Sequence, residues 1–228
     1  IGATYDAFRS ERYVLTFDNK AMRRIASSTP YDFLEILPTT EVAGGGGIYG
    51  LFRTAAANSE WAPYLFGHEF GHHFAGLADE YYTSSVMYEA PTEITEPYEP
   101  NVTALLDPEN LKWKHHVSPD TPLPTSWPKE KYEEHSIAYQ EIRRKMRADN
   151  VPEEEMNNLF RDNQDFAEAL FEESGRKGVV GAFEGGNYQA KGYYRSAQNC
   201  LMFTRTEAFC AVCAEAIEKV IDEYTVNR

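Results

Sequence analysis

Three residues on one short stretch could bind a metal and use it. The chain reads His68-Glu69-Phe70-Gly71-His72, and in a helix positions i and i+4 project from one face. Imidazole nitrogens of His68 and His72 would then meet one ion. Glu69, next to the first of them, would reach a water on that ion without being a ligand. Zinc lowers the pKa of such a water towards neutrality, and a carboxylate can take its proton as it attacks a carbonyl. The stretch therefore predicts a Zn2+ centre with Glu69 as general base. His73 lies about 100° around the helix from His72 and reads as a packed or surface residue.

A catalytic zinc takes three protein ligands and keeps one position open. The third is expected at Asp79, with Glu80 as the neighbouring alternative. Gly76 can take the left-handed conformation that ends a helix and turns the chain back. Gly76 to Asp79 has the G-x-x-ligand spacing of the metzincin pattern. Gly76 follows His72 by four residues instead of three, so the helix is expected to end slightly later.

Elements on both sides must position this stretch. Asn58 or Ser59 is the expected cap of the helix, and Trp61, Tyr64, Leu65, Phe66, Phe70 and Phe74 give it an apolar surface. Upstream, Tyr13–Phe17 and Tyr31–Leu37 read as strands. Between them, Asp18 caps a helix reaching about Ser27, with Met22 and Ile25 inward. The four glycines Gly44 to Gly47 have the composition of a flexible loop. No Gly-Lys-Ser/Thr follows them, so they are no phosphate loop. Ile48–Ala55 reads as one strand.

Downstream, Ser84–Pro128 is too proline-rich for regular structure, and Trp113 and Trp127 would anchor it as a wrap over the core. Asn101-Val-Thr103 fits a glycosylation acceptor. His115 and His116 are expected to face apart, as on a strand. Lys129–Asn150 and Pro152–Glu173 read as a helical hairpin, with Phe160, Phe166, Leu170 and Phe171 on one side of the second helix. Phe209–Tyr224 reads as a C-terminal helix with a stripe from Phe209 to Ile221. Cys200, Cys210 and Cys213 allow one disulfide involving Cys200 or three buried thiols. A zinc site on the three lacks an obvious fourth ligand.

At 228 residues, with 42% hydrophobic and 14% aromatic content, the chain suits a globular enzyme. One domain, 1–228, with an insertion at 129–175, is the expected organisation. A net charge of −14 disfavours nucleic acid and anionic membranes as partners. No apolar run approaches the ~20 residues of a membrane span. Three cysteines are too few for a disulfide scaffold. Ile1 at the start points to a processed or trimmed product.

Several ordered blocks carry a family resemblance. Gly44–Gly50, then Trp61 and the run Gly67-His-Glu-Phe-Gly-His-His-Phe-Ala-Gly-Leu-Ala-Asp-Glu-Tyr-Tyr82, are similar to the IgA-protease-like zinc metallopeptidases, metallopeptidase family 64. So are Leu111-Lys-Trp-Lys114 and Thr121–Thr125, and later Phe183–Tyr188, Lys191–Ser196, Cys200-Leu-Met202 and Phe209–Cys213. The resemblance implies an α/β (α+β) zincin-like catalytic domain: a small mixed sheet, the HExxH active-site helix, a C-terminal helical half and the helical insertion. It implies a zinc endopeptidase acting on protein or peptide substrate, in a secreted or cell-envelope setting. The strand before the active helix would pair with extended substrate, its glycines allowing close approach. Met202 resembles a Met-turn methionine, and Tyr194 is the candidate oxyanion donor, with Tyr188 and Arg195 as competitors. Nothing in these residues selects immunoglobulin A. Two rivals stand beside this reading, a zinc amidase on small substrates and a surface binding module with a vestigial metal site.

Overall fold

In the computed structural model, which describes residues 1–10, 12–84 and 92–226, the chain divides into two units, Ile1–Gly76 and Leu77–Arg228. The described residues form a mixed α/β structure with five α-helices and two three-stranded sheets.

The first unit begins with an N-cap that behaves as its sequence demands. The Asp18 carboxylate accepts from the Ala21 N–H at 2.9 Å and starts α1, Asn19–Ala26. Met22 is buried, but Ile25, expected inward, is 52% exposed. An eight-residue helix on the surface buries one position here, not a stripe. The expected strand at 13–17 makes only isolated bridges, Leu15 with Thr4 and Tyr13 with Gly45. The one expected at 31–37 shrinks to β1, Glu35–Ile36.

The glycine run is a strand, not a loop. β2 spans Gly45–Ile48 and β3 spans Phe52–Ala55, so the single strand predicted at 48–55 is broken by a turn through Gly50, whose φ is +64°. The sheet order is β1-β3-β2, with β1 parallel and β2 antiparallel to β3. Leu15, Met22 and Phe52 form a core on one side with Ala7. Arg53 of β3 pairs with Glu35 at 2.8 Å. Its guanidinium lies 3.9 Å from the Phe66 ring centre, which gives this buried cation a carboxylate and an aromatic face.

In the second unit the sheet order is β4-β6-β5, from Val102–Thr103, Gln189–Ala197 and Val180–Gly186. Asn187 and Tyr188, both at positive φ, turn β5 into β6 as a two-residue hairpin. α3, Lys129–Ala148, and α4, Glu153–Glu173, are the predicted helical pair. They are built into the core of this unit: Tyr132 and Phe171 lie 5.0 and 6.2 Å from the Phe203 ring, and Trp127 lies 5.5 Å from Tyr132. Residues 92–128 are mostly irregular, as expected, and Trp113 anchors them by donating from its indole to the Gly181 carbonyl at 2.7 Å. The part of the proline-rich reading that falls on 85–91 lies outside the described residues.

Three local expectations need correction in this unit. His115 and His116 do not face apart: they sit on a 3-10 turn, Lys114–His116, and both reach Glu215, at 3.0 and 2.9 Å. Bonds from Lys219 and the two histidines hold that carboxyl down at about 2. The Asn101 side chain, in the glycosylation sequon, is fully buried and bonded on both its oxygen and its nitrogen. The C-terminal helix, α5, runs Ala211–Val226. Its stripe is buried at Val212 and Cys213 and lost by Ile221, which is 45% exposed.

Candidate metal centre

The helix α2, Ala62–Ala75, carries the HExxH stretch in the first unit. Its start differs from the prediction. Ser59 accepts from the Trp61 N–H at 3.2 Å, before the helix proper, and no side chain caps the helix itself. Its end agrees: Gly76 has φ 61° and ψ 33°, and its N–H reaches back to the Gly71 and His72 carbonyls. This left-handed residue closes the helix four residues after His72.

One face of α2 presents the two predicted histidines together. Their Nε2 atoms are 3.2 Å apart. Two nitrogens bound to one tetrahedral zinc at about 2.0–2.1 Å would be separated by about 3.3 Å. The spacing thus fits a shared ion. His73 points elsewhere. It is buried, its Nδ1 sits 3.0 Å from the Ile48 carbonyl oxygen, and its ring meets Phe33 edge-on. It is a packed residue, as its position around the helix suggested.

Glu69 is buried, 8% exposed, and lies along β2. A Cβ placed on Gly45 would stand 2.8 Å from Glu69 Cγ, and one on Gly47 would stand 2.6 Å from the Glu69 carbonyl oxygen and 2.8 Å from His72 Cβ. Residues i and i+2 of a strand share a face, so both glycines turn their bare side to α2. Their freedom serves the seating of the helix against the sheet. The sequence suggested a different use, close approach of substrate.

In the second unit the backbone at residues 78–81 is held from three directions. Asn101 accepts from the Ala78 N–H and donates to its carbonyl, at 2.8 and 3.0 Å. The Glu80 N–H donates to the Met202 carbonyl at 2.9 Å. The hairpin tip closes the third side: the Asn187 N–H donates to the Asp79 carbonyl at 2.9 Å and the Tyr188 N–H to that of Tyr81 at 3.2 Å. The Tyr188 hydroxyl also donates to Asp79 Oδ2. Asp79 is therefore a buried carboxylate with one oxygen oriented by a phenol.

The other sequence candidates fall as follows. Glu80 is fully buried, takes a bond from Asn101 at 3.0 Å and lies among the cysteines. Burial pushes its carboxyl well above the usual range. Arg195 is fully buried between the Trp127 and Phe203 rings, 4.1 and 3.8 Å from their centres. Tyr194 is half-buried on β6, and burial, followed by the nearby Glu184, raises its phenol. Met202 is fully buried. All three cysteines are free thiols.

Among the described residues of the second unit, two sets of side chains have donors able to hold a metal ion: Glu80, Cys200, Cys210 and Cys213; and the more exposed His115, His116 and Glu215. Sequence reasoning had weighed Tyr188 only as a rival oxyanion donor and missed its bond to Asp79. The usable signal was the Gly186-Asn187-Tyr188 turn between two β-prone runs.

The chain matches the model of the family described as IgA Peptidase M64 over residues 1–221. It belongs to that family, and so to a class of metallopeptidases whose substrates are proteins or peptides. The match runs through the helical pair α3–α4, in which none of the resembling blocks lies. No curated protein matches the chain.

Proposed function

We propose that this protein is a zinc-dependent endopeptidase of zincin type. His68, His72 and Asp79 hold the metal and Glu69 is the general base. The observation that carries the reading is the 3.2 Å separation of the His68 and His72 ring nitrogens, matched to a shared tetrahedral ion. Asp79 is the third ligand because Gly76 ends the helix in the left-handed conformation and Asp79 follows three residues later. The rival Glu80 is engaged with Asn101 and Cys213.

A zinc bound there supplies Lewis acidity, polarising the scissile carbonyl and making a water acidic near neutral pH. The chain's own residues do the rest. The Glu69 carboxylate accepts the proton of the attacking water and passes it to the leaving amine. Its low exposure keeps bulk water from competing for it. On β2, the outward N–H and C=O of Gly45 are taken by Arg12 and Val14. Antiparallel pairing alternates in direction, so the edge offered to an extended peptide starts at Gly47. Tyr188 is committed to Asp79 and Arg195 is walled in by rings, which leaves Tyr194 as the hydroxyl for the oxyanion. Its raised phenol stays protonated at neutral pH, as a hydrogen-bond donor must.

The test is hydrolysis of an unfolded protein substrate by enzyme purified without added metal. A chelator should stop the reaction and zinc should restore it. A His68→Ala/His72→Ala variant should carry one metal equivalent fewer than wild type and be inactive. Cleavage of small amides but not of unfolded protein would replace this reading with an amidase. Metal binding without hydrolysis of either would leave a binding module.

The Tyr188–Asp79 bond gives a second test. Partners that orient a metal ligand typically contribute about 10–100-fold in metal affinity. Tyr188→Phe removes only the hydroxyl, so zinc affinity in a chelator competition should fall by about that factor with the fold intact. An unchanged affinity would assign Tyr188 to the hairpin alone.

A further inference from the structure

Three cysteines lacked a fourth partner in the sequence, and the fold provides it in Glu80. Cys200 lies in the turn after β6, Cys210 and Cys213 lie at the start of α5, and Glu80 lies in the segment held by Asn101 and Met202. Their four donor atoms lie within 4.8 Å of one another. Cys200, Cys213 and Glu80 are 0% exposed.

The edges of this cluster have the lengths of a coordination polyhedron. Cys200 Sγ to Cys213 Sγ is 3.6 Å, and Cys213 Sγ to Glu80 Oε1 is 3.5 Å. A tetrahedral zinc with Zn–S of about 2.3 Å and Zn–O of about 2.1 Å would give an S–S edge near 3.8 Å and an S–O edge near 3.6 Å. A disulfide would require sulfurs about 2.0 Å apart, and it would leave one thiol and the carboxylate without a purpose.

The surroundings suit bound thiolates. The Cys210 N–H donates to Cys200 Sγ at 3.3 Å, and the Ser196 hydroxyl lies 3.3 Å from Cys210 Sγ. Donors of this kind orient and tune metal-bound sulfur. Glu80 Oε2 is buried with no hydrogen-bond partner, which is costly for a polar atom unless something else satisfies it. The buried Arg195 guanidinium interacts electrostatically with both Glu80 and Cys200. It offsets the excess negative charge that three thiolates and a carboxylate leave on a divalent ion.

We propose that Glu80, Cys200, Cys210 and Cys213 form a second, closed metal site that holds a structural divalent ion, zinc by its ligand set. The three thiols give up their protons to solvent as the ion binds, and no position is left open for a substrate. The site pins the start of α5 and the Cys200 turn to residue 80. Through it the ion steadies the backbone next to Asp79; that consequence rests on Asp79 being a ligand of the catalytic metal, whereas occupancy of the second site does not.

The experiment uses the whole chain, with two readouts. Elemental analysis should find two zinc equivalents in wild type and one in the His68→Ala/His72→Ala variant. Replacing the zinc of that variant with cobalt should produce a thiolate-to-cobalt charge-transfer band, and the three thiols should react with a thiol reagent only after a chelator is added. These readouts need no cysteine substitution, so a misfolded variant cannot obscure them. One zinc in wild type with no thiolate band overturns the second site and leaves the catalytic reading intact. One zinc with a thiolate band does the reverse. A denatured, unreduced chain lighter by two hydrogens would mean a disulfide and overturn the proposal as well.

Discussion

Glu69→Gln should leave metal content at the wild-type value and lower turnover by roughly 10²–10⁴-fold, the usual contribution of a general base. Glutamine keeps the volume and polarity of the side chain but cannot accept a proton. The exchange is therefore mild for packing. Glu69 is 8% exposed and its methylenes lie against the bare face of Gly45, so a change of size would disturb β2 as well as the chemistry. The measurement is kcat on an unfolded protein substrate with metal analysis on the same sample. Near-wild-type turnover would falsify the base assignment. Loss of metal together with activity would make Glu69 a ligand and would reopen the question of which residue moves the proton.

The histidine pair and the end of its helix were legible because those parts are local. HExxH places two imidazoles one helical turn apart, and Gly76 marks the end of the same helix. Asp18 and α1, and the helical pair α3–α4, were likewise readable from caps, prolines and period. What escaped was long-range. Nothing near Gly44–Gly47 says that a second element lies on their bare face, so composition argued for a loop while the structure makes a strand of them. The bond from Tyr188 to Asp79 spans more than a hundred residues. The fourth member of the cysteine cluster, Glu80, had been read only as a spare ligand for the first metal, because its neighbours in space are 120 residues or more downstream. Arg195 stood as a competitor of Tyr194 for the oxyanion; its burial between two rings, formed by residues distant from it in sequence or across a turn, was not readable locally.

The glycines of β2 supply the other large effect. Gly47→Ala should lower activity by about 10²-fold and stability by about 1–3 kcal/mol. The new methyl would stand 2.6 Å from the Glu69 carbonyl oxygen and 2.8 Å from His72 Cβ, far inside van der Waals contact. The first of these atoms is helix backbone and the second is fixed directly to it, so no rotamer change relieves the clash. α2 or β2 must move, and both the proposed base and a proposed ligand ride on α2. A displacement near 1 Å is enough to cost about two orders of magnitude in a positioned reaction. Gly46→Ala is the control. It is the residue between, on the opposite face, and its methyl would meet Leu15 Cδ2 at 2.6 Å, the far end of a core side chain, so any strain falls on the Leu15 core and not on α2. Activity and thermal unfolding measured on both variants separate the cases. If Gly46→Ala were as damaging as Gly47→Ala, the strand itself would be intolerant of side chains, and the close seating of α2 would not be the reason for glycine at 47.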